Sequence, residues 1–412
     1  MDADAPRKPR VAVIGLGNRG LKYLRILADL TSQVDVAAIV DSDSARIARA
    51  TRWLEENAPG VRPVAVSSLD RLLDSNLNSY LDAAIIATPE SYHHSQALAL
   101  LRAGVHILVE KPLCTDRAHA QEIIDAANAR GLVAGVCYVL RYHPYYRKMR
   151  GLIAEGSLGK PVTVTHRLNV GIDRSCHTFV RGPWGNAGAT SPIALSKCCH
   201  DTDIVSWLVG ETPDSLTTLS SRRFFTPENA PAGAAPRCVD CPIEADCDYS
   251  AVSLYLRRHQ WIDNFDTNPG HPTLDSAIDS QLRHGPYGKC VFAAQNTVDD
   301  RLLISMTFPG GALASITMNM FTADDARDTH ICLTHGEIHG DGSVITVIPL
   351  ASRLSPDDPA YRPVVTYDFS HLPEELHGGA DRAMIADFVN AVSSPTHTLQ
   401  SPASECVATM PE

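Results

Sequence analysis

A short apolar run that passes directly into a glycine-rich turn restricts the start of this chain to very few folds. Val11–Ile14 has the continuous apolar character of a strand that is covered on both faces. Gly15, Gly17 and Gly20 follow in G-x-G-x-x-G spacing, and residues 21–30 read as a largely apolar helix. This order predicts a parallel sheet in which the first strand leads through a tight turn into a helix.

The three glycines have different roles in such a turn. Gly15 permits the tight turn, Gly17 lets the backbone approach a pyrophosphate, and Gly20 lets helix and strand pack closely. The helix that starts at Asn18 and Arg19 offers free N–H groups and a positive dipole end to phosphates. We therefore predict a dinucleotide site at these five residues. An ordinary tight loop is the alternative.

A carboxylate follows the second predicted strand. The run 34–40 ends in Asp41, at the spacing after the glycines where a group that binds ribose hydroxyls is expected. Because a carboxylate repels a 2′-phosphate, Asp41 favours NAD over NADP. Ser42 and Arg46 lie close by in sequence and leave NADP possible.

The first part of the chain continues to alternate strands with helices. Apolar runs predict strands at 83–87, 105–109 and 132–139, and periodic segments predict helices at 93–102 and 116–130. Such alternation indicates a doubly wound parallel sheet, of the Rossmann kind, whose ligand lies at the carboxyl ends of the strands.

Several polar residues follow these strands directly. Thr88 comes after the strand at 83–87, and Glu110 and Lys111 come after the strand at 105–109. We predict that all three, together with His93 at the start of a helix, contact the cofactor. A surface ion pair between Lys111 and Glu110, and a merely structural His93, are the alternatives.

Five segments of the chain resemble the Gfo/Idh/MocA family of NAD(P)-dependent oxidoreductases, which act mainly on sugars, inositols and related polyols. The matching segments are 11–20, 87–94, 103–113, 139–162 and 196–210. The resemblance implies that Lys111 is the cation beside the reacting oxygen and that His200 is its acid–base partner. Oxidation of a secondary alcohol requires such a pair, because the hydroxyl proton leaves as hydride is transferred.

The segment around His200 departs from the family in one position. Family members carry an aspartate four residues before the histidine, on the same helix face, where this chain has Ser196. Lys197 or Asp201 is a possible substitute. We predict that Lys197 and Asp203 contact substrate. The alternative for the whole segment, His200 included, is a helix start at which Asp201 and Asp203 favour the dipole.

Further substrate residues are expected in two loops. His177, Arg181, Trp184 and Asn186 form a Gly-rich segment that offers an aromatic surface, a cation and an amide to a sugar ring. A loop anchored by a buried Trp184 is the alternative. The other predicted substrate residues are Tyr138 and Arg141.

After residue 160 the pattern becomes mostly β. Successive strands without long helices predict an α+β domain with a large, mostly antiparallel open sheet, and Gly310-Gly311 predicts a hairpin turn. We predict a Rossmann domain at 1–140 and a substrate and oligomerisation domain at 141–412, with a late helix at 378–394. The predicted strands are 162–169, 215–220, 291–292, 302–308, 312–320, 330–333 and 344–348.

Four cysteines are the candidate metal ligands. Cys238, Cys241 and Cys247 have C-x2-C-x5-C spacing in a Cys-rich insertion around 221–290, which suits a structural zinc site. Cys290 is the first choice for a fourth ligand, and His271 and His284 are the others. An iron–sulfur cluster and buried free thiols remain as alternatives.

Composition limits the partners. A net charge of −11 and a pI near 5.8 argue against nucleic acid or an anionic membrane surface as a partner. The start of the chain lacks the apolar region of a signal peptide, and we expect a cytoplasmic protein.

The family resemblance implies a homodimer or homotetramer and a sugar or cyclitol as substrate. Two other functions remain open, redox-neutral NAD-dependent glycoside cleavage through a transient keto-sugar and a non-catalytic NAD-binding regulator.

Overall fold

The structure is a computed structural model that describes residues 7–74, 81–262, 265, 270–373 and 377–411. The strands are β1 Arg10–Ile14, β2 Asp35–Val40, β3 Val64–Val66, β4 Ala83–Ile86, β5 His106–Val109, β6 Ala134–Val136, β7 Pro161–Gly171, β8 Ser215–Ser221, β9 Arg301–Thr307, β10 Leu313–Thr322, β11 Ala326–Leu333, β12 Gly336–Gly340, β13 Val344–Pro349 and β14 Val365–Asp368. The helices are α1 Asn18–Asp29, α2 Ser44–Asn57, α3 Leu69–Asp74, α4 His93–Arg102, α5 Arg117–Asn128, α6 Pro144–Ala154, α7 Ile172–Arg174, α8 Ile193–Ser196, α9 Cys199–Val209, α10 Leu274–Arg283 and α11 Ala380–Ser393. Over these ranges, no helix combines the length and the apolar character that a membrane span requires.

The described residues divide into two compact units. The first unit contains the described residues within 7–155, 206–212 and 368–410, and the second contains those within 156–205 and 213–367, with residue 411. The first unit therefore also takes in segments from the C-terminal part of the chain. The domain boundary at residue 140 stays a prediction.

The first unit contains the predicted doubly wound sheet. Its strand order is β3-β2-β1-β4-β5-β6, and every neighbouring pair is parallel. The order reverses between β1 and β4, so the carboxyl ends of these strands form the crevice where doubly wound folds bind ligands. This confirms the predicted Rossmann fold.

The core of the first unit depends on the late helix α11. Met384, Ile385 and Phe388 are fully buried in one apolar cluster with Leu24 and Leu27 of α1. The last described residues also pack here, since the backbone N–H of Val136 donates to the carbonyl of Ser401 and thereby extends the sheet beyond β6. A helix at 378–394 is thus confirmed, with narrower bounds.

The second unit contains the large open sheet. Its strand order is β14-β13-β12-β11-β7-β10-β9-β8. β7 and β10 pair in parallel, and the pairs β7–β11, β11–β12, β12–β13, β9–β10 and β8–β9 are antiparallel. Burial alternates along the strands, as in β9, where every second side chain is exposed. The sheet therefore has one covered face and one open face, as an antiparallel sheet permits.

Two predicted strands differ in the structure. The prediction of a strand at 291–292 is wrong, because Val291 and Phe292 lie in a turn whose side chains are buried in an aromatic cluster. The strand predicted at 132–139 is only Ala134–Val136, followed by a 3-10 turn over Val139–Tyr142. In both segments the apolar side chains are buried although the backbone is irregular. A short apolar run in the sequence looks the same in such a segment as in a strand.

Candidate functional site

The glycine-rich turn has the geometry that each glycine was expected to allow. Gly15 has φ +87°, and a Cβ there would lie 2.7 Å from the carbonyl oxygen of Ala87. A Cβ on Gly20 would overlap the carbonyl oxygen of Gly15, whereas no described atom lies within 4 Å of a Cβ built on Gly17. The turn is therefore closed on its protein side and open at Gly17, where a pyrophosphate would need space.

Asp41 connects the end of β2 to this turn. Its Oδ2 accepts a hydrogen bond of 2.7 Å from the backbone N–H of Leu16, and its Oδ1 accepts one of 2.9 Å from Asp43. The residue is 7% exposed, and the Arg46 guanidinium is 3.8 Å away. Each carboxylate oxygen retains a second lone pair with which it can accept a ribose hydroxyl.

Arg19 and Glu110 form a buried ionic network. The Nε of Arg19 donates to Glu110 over 2.7 Å, and its NH2 donates to Asp381 over 2.5 Å. The hydroxyl of Tyr23 also donates to Glu110. Burial alone would raise the pKa of Glu110, but the charges of Arg19 and Lys111 and the Tyr23 hydroxyl lower it. The guanidinium of Arg19 is committed to carboxylates, so its backbone is the part that can serve a phosphate.

The loops after β4 and β5 are joined by His93. Its buried imidazole lies 2.8 Å from the carbonyl oxygen of Thr88 and 2.9 Å from that of Pro112. The hydroxyl of Thr88 donates to Gln96 over 2.7 Å. Lys111 is half-buried and directly precedes Pro112, whose carbonyl contacts His93. Its backbone N–H donates to the side chain of the preceding residue, Glu110.

In the second unit, the start of α9 is fixed to the sheet by Asp201. This fully buried carboxylate lies 3.0 Å from Nε2 of His166 on β7 and accepts a 2.6 Å bond from Nε of Arg327 on β11. Burial would raise the pKa of Asp201, but the charge of Arg327 and the bond from His166 lower it strongly. The half-buried His200 immediately precedes this anchor.

Lys197 and Ser196 stand close to His200 in sequence. Burial, together with the positive charges of Arg174 and Arg327, lowers the pKa of Lys197 to about 7. The hydroxyl of Ser196 donates to the carbonyl of Pro192, one turn back. Asp203 is fully buried.

The predicted substrate loop is built around aromatic stacking. His177 is buried, stacks on Tyr287 at a centroid distance of 4.7 Å, and lies at 5.6 Å from Trp261. Its Nδ1 is 3.0 Å from the hydroxyl of Tyr255. Burial, with the positive charge of Arg181, lowers the pKa of His177 to about 4, so its ring is neutral near pH 7.

The other loop residues have separate surroundings. Arg181 is 4% exposed and donates to the carbonyls of Lys289 at 2.7 Å and Tyr249 at 2.5 Å. Trp184 is exposed, which removes the alternative of a loop anchored by its burial. The side chain of Asn186 accepts from Gly188 within its own turn.

Tyr138 and Arg141 are buried and bound to the last residues of the first unit. The hydroxyl of Tyr138 lies 3.2 Å from the Sγ of Cys406, and NH1 of Arg141 donates to Glu405 over 2.5 Å. These contacts fix the segment around residues 400–406, and a role in substrate binding stays a prediction.

The four cysteines predicted as metal ligands line one small apolar cavity of about 20 Å³. Cys238 and Cys290 come together because residues 237 and 289 form an isolated antiparallel bridge. Sulfur atoms on one zinc ion are about 3.8 Å apart, but no three of these four described sulfurs all lie within 4.8 Å of one another. His271 and His284, the alternative ligands, do not line the cavity.

Sequence reasoning missed three anchors of the site, Tyr23, Asp381 and the His166–Arg327 pair. Asp381 lies 362 positions from Arg19 and His166 lies 35 from Asp201. Because such partners are far apart in the sequence, local pattern marks only one of them, the histidine within the alternating strand pattern of β7.

Comparison with known proteins agrees with this architecture. The model of an oxidoreductase family with an NAD-binding Rossmann fold, GFO_IDH_MocA, matches residues 9–138, and that of the family's C-terminal alpha/beta domain matches residues 150–365. Fold and turn together define a two-domain NAD-binding oxidoreductase. The chain belongs to the Gfo/Idh/MocA oxidoreductase family.

Individual relatives are distant. The putative oxidoreductase YteT of Bacillus subtilis is 21% identical over 75% of this chain and 71% of its own length. The inositol 2-dehydrogenase of Streptomyces avermitilis is 30% identical over 52% of this chain, and the match spans only 56% of that protein. A levoglucosan dehydrogenase solved with NADH superposes with a TM-score of 0.69 at 17% identity, covering 98% of this chain and 94% of the other.

Proposed function

We propose that this oxidoreductase transfers hydride between NAD and a secondary alcohol or ketone of a sugar, a sugar derivative or a cyclitol. The observation that carries the proposal is the position of Lys111. It follows β5 at the carboxyl edge of the parallel sheet, directly after Glu110, which is bound to Arg19 in the first turn of α1. The ammonium group of Lys111 and the glycine-rich turn therefore belong to the same compact unit.

The residues of the first unit fit a dinucleotide. The open space at Gly17 accepts the pyrophosphate, the first N–H groups of α1 bind it, and Asp41 accepts the ribose hydroxyls. When bound, the nicotinamide supplies the hydride acceptor or donor. NAD rather than NADP follows from the charge of Asp41, although Arg46 lies close enough to partner a 2′-phosphate.

Two side chains act on the hydroxyl group of the substrate. Lys111 holds and polarises the substrate oxygen, and His200 exchanges the hydroxyl proton. The Asp201 anchor restricts the direction in which α9 presents His200, because the neighbouring residue is fixed by both His166 and Arg327. The other proposed substrate contacts are Tyr138, Arg141, His177, Arg181, Trp184, Asn186, Lys197 and Asp203.

Support for the substrate class comes from the relatives. The names of similar proteins include inositol 2-dehydrogenase, levoglucosan dehydrogenase and UDP-N-acetylglucosamine 3-dehydrogenase. All three substrates are polyhydroxylated rings. We propose the same class for this chain.

The test follows nicotinamide absorbance and product mass together, with NAD and a panel of pyranoses, glycosides and inositols. We expect net NADH and a ketone product, and a loss of about a hundredfold or more in kcat for Lys111→Ala. Lys160→Ala, at an exposed lysine, is the matched control. Glycoside cleavage without net NADH would instead support the redox-neutral alternative, and tight NAD binding with no turnover of any compound would favour the regulator.

We also propose a structural zinc ion among Cys238, Cys241, Cys247 and Cys290. These cysteines face one cavity, and the buried guanidinium of Arg181 lies 3.7 Å from the Sγ of Cys238. Among the described residues, Arg181 donates to the carbonyls of Lys289 and Tyr249 and to the Sγ of Cys238, and none of these partners is a carboxylate. Four thiolates around Zn²⁺ carry a net negative charge that balances this buried cation, provided that binding draws the sulfurs closer.

Metal analysis of the purified chain tests the zinc proposal. The combined variant Cys238→Ser and Cys290→Ser is expected to lose one zinc per chain, and Cys114→Ser, a buried cysteine of the first unit, is expected to lose none. Equal zinc contents in all three proteins would contradict the proposal.

Finally, we propose that the chain is a homodimer or homotetramer that pairs through the part of the open face formed by β8, β9 and β10. Leu219, Leu303 and Leu313 are 65%, 38% and 54% exposed on this face, and Leu219 and Leu303 are directly opposite on β8 and β9. Light scattering should give a multiple of the chain mass that falls for Leu219→Lys combined with Leu303→Lys. A monomeric wild type would contradict the proposal.

A further inference from the structure

A second group of metal-binding side chains lies on the hairpin formed by β11 and β12. His330 and Cys332 are two positions apart on β11, and Glu337 and His339 are two positions apart on β12, so the members of each pair lie on the same face of their strand. The register pairs His330 with His339 and Cys332 with Glu337, so all four side chains project from the open face of the sheet. A turn of only two residues joins the strands, which keeps this register fixed.

The donor atoms of these side chains converge. The Nε2 atoms of His330 and His339 lie 2.9 Å and 3.2 Å from the same oxygen of Glu337. The two imidazole rings stack at a centroid distance of 3.8 Å, and the Sγ of Cys332 is 3.5 Å from Nε2 of His330. Two imidazole nitrogens and one carboxylate oxygen therefore lie within 4.8 Å of one another, and the Sγ of Cys332 lies next to one of the nitrogens.

Such convergence is uncommon in this molecule. Within the described ranges, His330, Glu337 and His339 are the one set of three histidine, cysteine, aspartate or glutamate side chains whose donor atoms all lie within 4.8 Å of one another. Each is half-buried or exposed, so an ion can reach them from solvent. An ordinary surface ion pair does not require two stacked imidazoles to share one carboxylate oxygen.

We propose that His330, Glu337 and His339 bind a divalent transition metal ion, with Zn²⁺ as its expected occupant and with Cys332 as the fourth ligand once its side chain turns toward the ion. Imidazole nitrogen, thiolate and a single carboxylate oxygen are the ligands of tetrahedral zinc, whereas Mg²⁺ and Ca²⁺ prefer oxygen ligands alone. All four ligands come from one hairpin of one chain. The site is separate from the cysteine cavity and does not depend on the proposed dehydrogenase activity.

Titration of the full-length chain with Co²⁺, followed by displacement with Zn²⁺, tests the proposal. The wild-type protein should bind one more equivalent of metal than the combined variant His330→Ala and His339→Ala. Visible absorption of Co²⁺ should report a tetrahedral site, and its thiolate charge-transfer band should decrease with Cys332→Ser. The matched control is His335→Ala, because His335 is an exposed histidine in the turn of the same hairpin.

A milder variant keeps the test valid if the double variant folds poorly. Glu337→Gln preserves the shape of an exposed side chain and is expected to lower zinc affinity at this site more than tenfold, since even outer-shell changes cost this much. Equal metal stoichiometry in wild type and double variant, or equal affinity in wild type and Glu337→Gln, would overturn the proposal. Loss of metal in His335→Ala to the same extent would overturn it as well.

Discussion

The most demanding test of the second unit is the substitution Asp201→Asn. Asp201 is fully buried, and it compensates the charge of Arg327 at 2.6 Å while it also lies 3.0 Å from the fully buried His166. Asparagine has nearly the same shape, so the change leaves no cavity. It removes the negative charge and presents an NH2 group to partners that are themselves donors.

The expected cost is about 3 kcal/mol in the free energy of unfolding. Removing one partner of a buried ion pair typically costs about 3–5 kcal/mol, because the other charge remains buried and uncompensated. We place the cost at the lower end of this range, since the Arg327 side chain is 22% exposed and water can solvate part of its charge. The neighbouring His200 should also lose its fixed orientation, and kcat should fall more than KM rises.

Urea unfolding of wild type and variants measures this cost, and Asp328→Asn is the matched control. Asp328 is on the same strand as Arg327 and pairs with Arg167 at 3.4 Å, but its side chain is 49% exposed. A surface pair of this kind contributes about 0–1 kcal/mol. If Asp201→Asn destabilises no more than Asp328→Asn does, the Asp201 network does not anchor α9 and the reasoning is refuted.

Three further predictions concern the cofactor turn and Lys197. Gly20→Ala should lower the melting temperature with or without NAD, because its Cβ overlaps backbone, whereas Gly17→Ala should keep the melting temperature and weaken NAD binding in calorimetry. Asp41→Ser should raise the KM for NAD and lower that for NADP, and unchanged values would contradict its assigned role. The pKa of Lys197 is lowered to about 7 by burial, so the folded state binds fewer protons than the unfolded state up to the ordinary lysine value of about 10.4. The free energy of unfolding should therefore rise with pH across this window, and Lys197→Met should flatten that rise in unfolding curves.

The sequence indicated those parts of the fold that depend on local pattern. The helix predicted at 93–102 has the same bounds in the structure, and alternation along 302–308 and 312–320 identified β9 and β10. By contrast, Val64–Val66 is a short, mostly exposed strand with no periodicity, and it was not predicted. Its position depends on pairing with β2, which is a tertiary interaction.

The site shows the same division. The glycines and Asp41 follow from local chemistry, because a turn and a strand end are short-range features. The partners of Arg19 do not, since its guanidinium is held by Glu110 and by Asp381, 91 and 362 positions away. The surroundings of Arg181 were not predictable either, because its guanidinium is buried against the carbonyls of Lys289 and Tyr249, which lie far along the chain.

The most direct test of the proposed dehydrogenase is the fate of the substrate hydrogen. Sugars and inositols labelled with deuterium at the carbinol carbon, incubated with the protein and NAD, should yield released NADH that carries the deuterium and a ketone that has lost it. Lys111→Ala should slow this transfer by about a hundredfold or more. Unlabelled nucleotide and intact alcohol across the panel, with NAD demonstrably bound, would contradict the account.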